Sequence, residues 1–158
     1  MKHAKSIYNV SVLILLPWLV VTTGCQCSGT TTAGNTVSAN GKVSMTVAAN
    51  PVVVRTNTTT TVTATVTNLQ PDGVTWQPAI GARVVFSLTP YPNNDCGSLV
   101  PPVDVQTDAS GVATVKFKAS NAPTTPSADT CYVYVVAKRT FTLDIASNVS
   151  DSITLKIK

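Results

Sequence analysis

The chain lacks most of the side chains that perform acid–base chemistry. It contains no glutamate, its seven acidic residues are all aspartates, and its one histidine is His3, near the start of the chain. Because no histidine follows His3, the remainder cannot form a Ser–His or Cys–His pair, and it has no side chain that ordinarily titrates near neutral pH. A zinc site built from cysteine and histidine also lacks ligands. The sequence therefore predicts a protein that is not an enzyme and holds no metal and no cofactor.

Charge, helix-forming segments and long apolar runs are also scarce. Only 11% of the residues are charged, and the net charge of +4 is not concentrated in one basic segment. We therefore expect no nucleic-acid partner, because such a partner requires clustered lysine and arginine. Threonine, valine, alanine and serine dominate the composition. This composition favours strands over helices.

The start of the chain has the pattern of a secretory signal peptide. Lys2 and Lys5 supply positive charge, and residues 10–21 form a short, almost wholly apolar run. A helix that spans a membrane needs about 20 apolar residues, so this run is too short to be one. Residues 1–24 are therefore interpreted as a signal that is removed during export.

The end of this signal resembles that of a bacterial lipoprotein. The letters TTGC end at Cys25, and the lipoprotein signal likewise ends in a small residue followed by cysteine. The resemblance implies lipid on Cys25, which would anchor the protein in a membrane. Gln26 in the next position favours the outer membrane, with the protein facing the periplasm or the cell surface. The alternative is ordinary cleavage that leaves Cys25 unmodified.

Residues 25–41 are predicted to be a flexible linker. The segment 28–41 has no charge and almost no apolar content, which is typical of a flexible tether. Cys27 lies within the linker and cannot bond to Cys25 if that thiol carries lipid. It can pair with another chain or remain a free thiol.

Residues 42–158 are predicted to be a single all-β domain. Apolar residues recur at every second position in six segments, 43–47, 61–67, 83–88, 113–118, 131–137 and 153–158. This alternation predicts strands with one buried and one solvated face, and the proline, glycine and asparagine between them predict turns. We expect the segment 108–111 to form a tight hairpin. Regularly spaced short strands indicate an antiparallel β-sandwich.

Three stretches resemble a known family. They read TVTATVTNLQPDG, QPAIGARVVFSL and TDASGVATVKF, and they are similar to successive strands of the bacterial Ig-like domain of the invasin/intimin type (group 1). The strongest match covers 107–115, where the family has T-D-x-x-G-x-A-x-V. The resemblance implies an immunoglobulin-like β-sandwich of about seven strands in a cell-surface protein, commonly a spacer or adhesion module. The family usually occurs in tandem, whereas this chain has one copy.

Cys96 and Cys131 are predicted to form a disulfide bond. An exported chain meets oxidising conditions, and these are the two cysteines of the head. We expect Cys96 to lie in a loop and Cys131 to open a late strand, so the bond would hold the 90–98 loop against that strand. Two free thiols or a metal pair are the alternatives.

Three aromatic residues are candidates for a contact surface. Tyr132 and Tyr134 are two positions apart on the solvated face of one strand, and exposed aromatics of this kind contact proteins or sugars. Trp76 is expected in a loop, as an anchor or as a lid over the end of the sandwich. For both tyrosines the alternative is a face covered by a neighbouring strand or loop.

The carboxylates offer little chemistry. Asp104 and Asp108 are close in sequence, but an aspartate in a turn is favoured for its backbone hydrogen bonds alone. A calcium ion shared by Asp72, Asp95 and Asp129 has little support from their spacing.

These observations predict a non-enzymatic, lipid-anchored envelope protein whose head is an adhesion, binding or spacer module with a protein or glycan partner. A second hypothesis is a subunit of a surface assembly, joined by edge-strand pairing and Cys27 cross-links. A third is a small carbohydrate-processing domain.

Overall fold

The computed structural model of the chain describes residues 31–32, 34–89, 96–120, 131–141 and 143–158, with the backbone alone at 31, 32, 131 and 133. The predicted signal over 1–24, together with Cys25 and Cys27, lies outside the described residues.

Twelve strands and one short 3₁₀ turn make up the regular structure of this part of the chain. The strands are β1 (Thr31–Thr32), β2 (Thr36–Val37), β3 (Val43–Asn50), β4 (Val53–Val54), β5 (Thr59–Leu69), β6 (Trp76–Pro78), β7 (Arg83–Thr89), β8 (Gly97–Val100), β9 (Asp104–Gln106), β10 (Val112–Ala119), β11 (Cys131–Arg139) and β12 (Val149–Ile157). The 3₁₀ turn covers Ile145–Ser147. Each of the six segments with apolar alternation contributes to a long strand, so the all-β prediction is confirmed.

The strands form two sheets arranged as a sandwich. Sheet 1 has the order β1-β3-β5-β10-β8, with β2 also paired to β3 and β6 also paired to β5. Sheet 2 has the order β4-β12-β11-β7-β9. Neighbouring strands are antiparallel except for β4, which runs parallel to β12. The chain changes sheet repeatedly, so the two layers are tied together by their connections as well as by their core.

The core lies between the sheets and is filled by every second side chain. Val62, Ala64 and Val66 of β5 are fully buried, and the outward threonines between them are not. From sheet 2, Phe86 and Leu155 bury their side chains in the same core. Burying a side chain of this size stabilises the fold by about 1.5–3 kcal/mol. The alternation in the sequence therefore identifies the inward face of the long strands correctly.

The folded head begins upstream of residue 42. The linker was predicted to extend to residue 41, but β1 and β2 already pair with β3. Asn35 accepts hydrogen bonds from the hydroxyls of Ser44 and Thr46. A polar segment without charge can thus add strands at a sheet edge, because the hydrogen bonds come from the backbone. The amino-acid composition of the segment does not predict such pairing.

The segment 108–111 is a corner between the sheets and not a hairpin within one sheet. It connects β9 of sheet 2 with β10 of sheet 1. Asp108 Oδ1 accepts hydrogen bonds from Ser110 N at 2.8 Å and Val112 N at 3.0 Å, and Gly111 adopts a φ of 75°. The turn was predicted at the right residues, but it connects strands of the two different sheets.

Candidate functional site

The two ends of the sandwich differ in which parts of the chain they hold. Thr31 pairs with Ala49 near the last residue of β3, and Thr56 N donates a 2.9 Å hydrogen bond to Lys158 O. We call this the proximal end, because the described chain enters here and Lys158 lies here. The opposite, distal end is formed by the segments 38–42, 70–75, 79–82, 107–111, 140–141 and 143–148.

Exposed apolar side chains concentrate at the distal end. Within the described residues, the four that are at least 70% exposed all lie in its segments: Val74, Ile80, Leu143 and Ile145. Val37 and Trp76, at the same end, are 46% and 41% exposed. Such residues usually mark an interaction site when they share one region of a surface. The distal end is therefore the candidate site of this protein.

The hairpin that carries Val74 and Trp76 is held by Asp72. Its Oδ1 accepts hydrogen bonds from Val74 N and Thr75 N, each at 2.9 Å, and its Oδ2 accepts the hydroxyl of Thr75. The Thr75 hydroxyl and the two N–H groups hold the pKa of Asp72 below 3.8. Gly73 completes the turn with a φ of 71°, which favours glycine. The sequence thus builds a fixed turn that presents apolar side chains to solvent.

The loop between β11 and β12 is fastened to the turn before β3. Asn40 Nδ2 donates hydrogen bonds to Ser147 Oγ at 2.6 Å and to Asp144 Oδ2 at 3.2 Å. Ser147 Oγ donates to Asp144 Oδ2 at 2.6 Å, and Asn40 N donates to Ala146 O at 3.0 Å. These bonds fix the position of the loop that exposes Leu143 and Ile145.

A partly buried cation lies between these two elements. Arg139 Nη1 donates a 3.0 Å hydrogen bond to Asn68 Oδ1, and the guanidinium lies 4.3 Å from the ring centroid of Phe141. Asn68 pairs with Gln77 in the β5–β6 hairpin, and Phe141 lies in the β11–β12 loop. Burial lowers the pKa of Arg139, but an arginine side chain stays protonated in proteins. Among the described residues Arg139 forms no ion pair.

Every described aspartate is engaged inside the fold. Asp104 pairs with Arg83, and the hydrogen bond and charge of Arg83 hold the pKa of Asp104 below 3.8. Asp151 accepts Val47 N at 2.9 Å and Thr36 Oγ1 at 3.1 Å, and Asp72, Asp108 and Asp144 serve the turns already described. The described residues include nine lysines and arginines against five aspartates, a charge of +4. The excess charge of the head is therefore positive.

The three predicted contact residues do not share one surface. Tyr132 is 44% exposed and Tyr134 is half-buried, both on β11 of sheet 2, with Lys156 Nζ 5.8 Å from the Tyr132 ring centroid. Trp76 lies in β6 opposite Leu69 of sheet 1, so its predicted placement in a loop is wrong. Tyr132 is seven positions from the distal Arg139, about 23 Å along an extended strand. The tyrosines thus belong to the proximal half and Trp76 to the distal end.

Cys96 is disulfide-bonded and almost fully buried. It lies outside the strands, directly before β8, as predicted for a loop cysteine, and its side chain belongs to the hydrophobic core. Cys131 opens β11 in the other sheet, as the sequence predicts, and its side chain lies outside the described part. Pairing with Cys131 therefore remains a prediction, now for a bond between the two sheets.

The described residues assemble no group of three or more histidine, cysteine, aspartate or glutamate side chains that could hold a metal ion. Of the aspartates weighed for calcium, Asp72 serves its own turn, and Asp95 and Asp129 lie outside the description. Two open clefts of about 300 and 360 Å³ flank β8 and β10, and neither is lined by a carboxylate. No helix in the described ranges is long and apolar enough to cross a membrane.

The distal site and the contact of Arg139 with Asn68 were not predicted from the sequence. The available signal was a pair of turn segments, VTWQPAI and FTLDIA, that contain large apolar residues outside the alternating strands. Arg139 and Asn68 are 71 positions apart, and only the packing of the two sheets brings them together.

No protein-family model matches the sequence, and no curated protein matches it. Among solved structures, the chain is similar to a "ZirS C-terminal Domain", with a TM-score of 0.47 and 10% sequence identity. The match covers 100% of this chain and 87% of that chain.

Proposed function

We propose that this chain is a lipid-anchored protein of the bacterial cell envelope whose immunoglobulin-like head is a non-enzymatic binding module. The observation that carries the proposal is the difference between the two ends of the head. The described chain enters at the proximal end, and the exposed apolar side chains lie at the distal end. A head held from one end presents the other to a partner.

The strand order supports the immunoglobulin-like assignment. Such domains place strands A, B, E and D in one sheet and C, F and G in the other. Here β3, β5, β10 and β8 form one layer in that order, and β7, β11 and β12 lie side by side in the second. With the match over 107–115 to the invasin/intimin type, this favours a domain that serves adhesion or spacing at a cell surface.

Two features support the proposed anchor: the signal, and the short stretch of chain between Cys25 and the first strand. Six positions separate Cys25 from Thr31, which opens β1. An extended chain spans at most about 3.4 Å per residue, so the proximal end lies within about 20 Å of a lipid on Cys25. The distal end, about 30 Å further along nine-residue strands, then points away from that membrane.

Metabolic labelling tests the anchor. Cells that express the full chain are supplied with radiolabelled palmitate, and we expect label in the membrane-bound protein. Cys25→Ala abolishes the label, whereas Cys27→Ala retains it. A soluble, unlabelled wild-type protein would contradict the proposal.

The two other hypotheses have less support. The strands at the β8 and β9 edges have four and three residues, and short edges give little template for pairing with another subunit. A carbohydrate-processing site would need convergent carboxylates, but Asp104 binds Arg83 and Asp108 binds its own turn.

A further inference from the structure

We propose that the distal end binds a peptide segment of a second protein that combines an acidic side chain with apolar ones, and that Arg139 receives the carboxylate. This inference rests on the proposed function and adds the chemical class of the partner.

The apolar half of the site comes from two fixed elements. The Asp72 turn presents Val74 and Trp76, and the β11–β12 loop presents Leu143 and Ile145. Interfaces between proteins owe most of their affinity to a few residues, enriched in tryptophan, tyrosine and arginine, and the contacts around them exclude water. Because the turn and loop are already held by hydrogen bonds, less ordering entropy is lost when a partner binds.

The charged half comes from Arg139. Its guanidinium is partly removed from water, stacks on Phe141, and uses an N–H of Nη1 for the neutral oxygen of Asn68. An arginine has five N–H donors, and a carboxylate is the acceptor that matches their planar arrangement. Among the described residues no carboxylate is bonded to Arg139, since each described aspartate binds other groups. A partner carboxylate would complete the environment of this cation.

The charges of the distal end favour an acidic protein segment over an anionic membrane. A membrane surface is recognised by clustered lysines and arginines. Here Asp72, Asp108 and Asp144 lie among the same loops as Arg139, so the end has no cluster of one sign. A single partly buried arginine, stacked on Phe141 at an end that exposes apolar side chains, fits one carboxylate in an apolar context.

Peptide selection tests the partner class. The lipidated full chain in nanodiscs is panned against a phage library of random dodecapeptides, and the consensus peptide is then titrated. We expect enriched sequences to place aspartate or glutamate beside aliphatic or aromatic residues. Trp76 is the one tryptophan that remains after removal of residues 1–24, so its emission should shift to the blue on binding.

Variants assign the binding to the distal end. Arg139→Gln should lower the affinity for the consensus peptide at least tenfold. Ile145→Ser changes an exposed side chain outside the core and should lower this affinity several-fold. Arg55→Gln at the proximal end is the matched control and should leave binding unchanged. Circular dichroism and thermal melting of each variant separate a binding defect from misfolding.

Several outcomes would overturn the inference: no enrichment over empty nanodiscs, a consensus without acidic residues, or equal affinity for wild type and Ile145→Ser. Binding to phosphatidylglycerol vesicles in place of the peptides would identify a membrane surface instead. Palmitate labelling of the same preparation reports the anchor separately. A labelled protein that selects no peptide would contradict the partner class and leave the anchor standing.

Discussion

Val47 N in β3 donates a 2.9 Å hydrogen bond to Asp151 Oδ2 in β12, which joins sheet 1 to sheet 2 along one side of the sandwich. On this side of β3, β1 pairs with Ala48 and Ala49 and β2 with Met45 and Ser44, so Val47 has no ladder partner there among the described residues. The carboxylate of Asp151 accepts the N–H of Val47 at this position.

Asp151→Ala should therefore lower the free energy of unfolding by about 1–3 kcal/mol, because the N–H of a fully buried residue loses its acceptor. Chemical denaturation of the variant and the wild type measures the difference. The control is Asp104→Ala, which removes one partner of an exposed ion pair and should cost about 1 kcal/mol or less. Equal losses in the two variants would show that the Asp151 bond does not stabilise the sandwich.

Gly97 should tolerate no side chain. It has a φ of 155°, and a Cβ at this position would overlap the ring of Phe117 and the carbonyl oxygen of Lys118. Gly97→Ala should destabilise the fold by about 1–3 kcal/mol, since overpacking forces neighbouring groups to move. Gly34→Ala is the control because nothing lies within 4 Å of its Cβ position, and its melting temperature should stay close to that of the wild type. An unchanged melting temperature for Gly97→Ala would contradict this packing.

The bond of Cys96 should lead to Cys131. Peptide mapping by mass spectrometry without reduction should recover the two cysteines in one linked pair. They are 35 positions apart (96 to 131), and closing a loop of that length stabilises the fold by about 3–4 kcal/mol in the chain-entropy model. The double variant Cys96→Ala with Cys131→Ala should lose about that amount. A map that links Cys96 to Cys27 would refute the pairing.

The Asp72 turn should lose stability in acid. The pKa of Asp72 is lowered in the fold, so its ionised form stabilises the turn at pH values above the ordinary pKa of 3.8. This contribution disappears as the pH falls through the still lower folded pKa. The melting temperature of Asp72→Asn should therefore lie below that of the wild type at pH 7, and the gap should narrow towards pH 2. A gap that does not change with pH would mean that the carboxylate charge contributes nothing.

The sequence was sufficient to predict the long strands and insufficient for the short ones. Residues such as Val62, Phe86 and Leu155 alternate with polar neighbours, and this period is visible without coordinates. Strands of two to four residues, such as β4 and β9, have no period to detect and exist because a long neighbour offers backbone partners. The same limit applies to β1 and β2 within the polar segment assigned to the linker.

The distal site was hidden for a different reason. Arg139 ends β11, two residues beyond the predicted segment 131–137, at an inward position where alternation alone would place an apolar residue. Its partner Asn68 is on the other sheet, and its stacking on Phe141 depends on how the following loop turns. Contacts between the two sheets depend on how the strands are arranged, and this arrangement could not be predicted residue by residue from a single sequence.

The central claim is that the head is held at its proximal end and presents its distal end away from the membrane. A fluorescent amino acid is placed genetically at Val53, in proximal β4, or at Leu143, in the distal loop, so that the native cysteines stay intact. The lipidated chain is reconstituted in vesicles that contain lipids with nitroxide headgroups, and quenching is compared at the two positions. The account predicts strong quenching at Val53 and little at Leu143; equal quenching, or stronger quenching at Leu143, would contradict it.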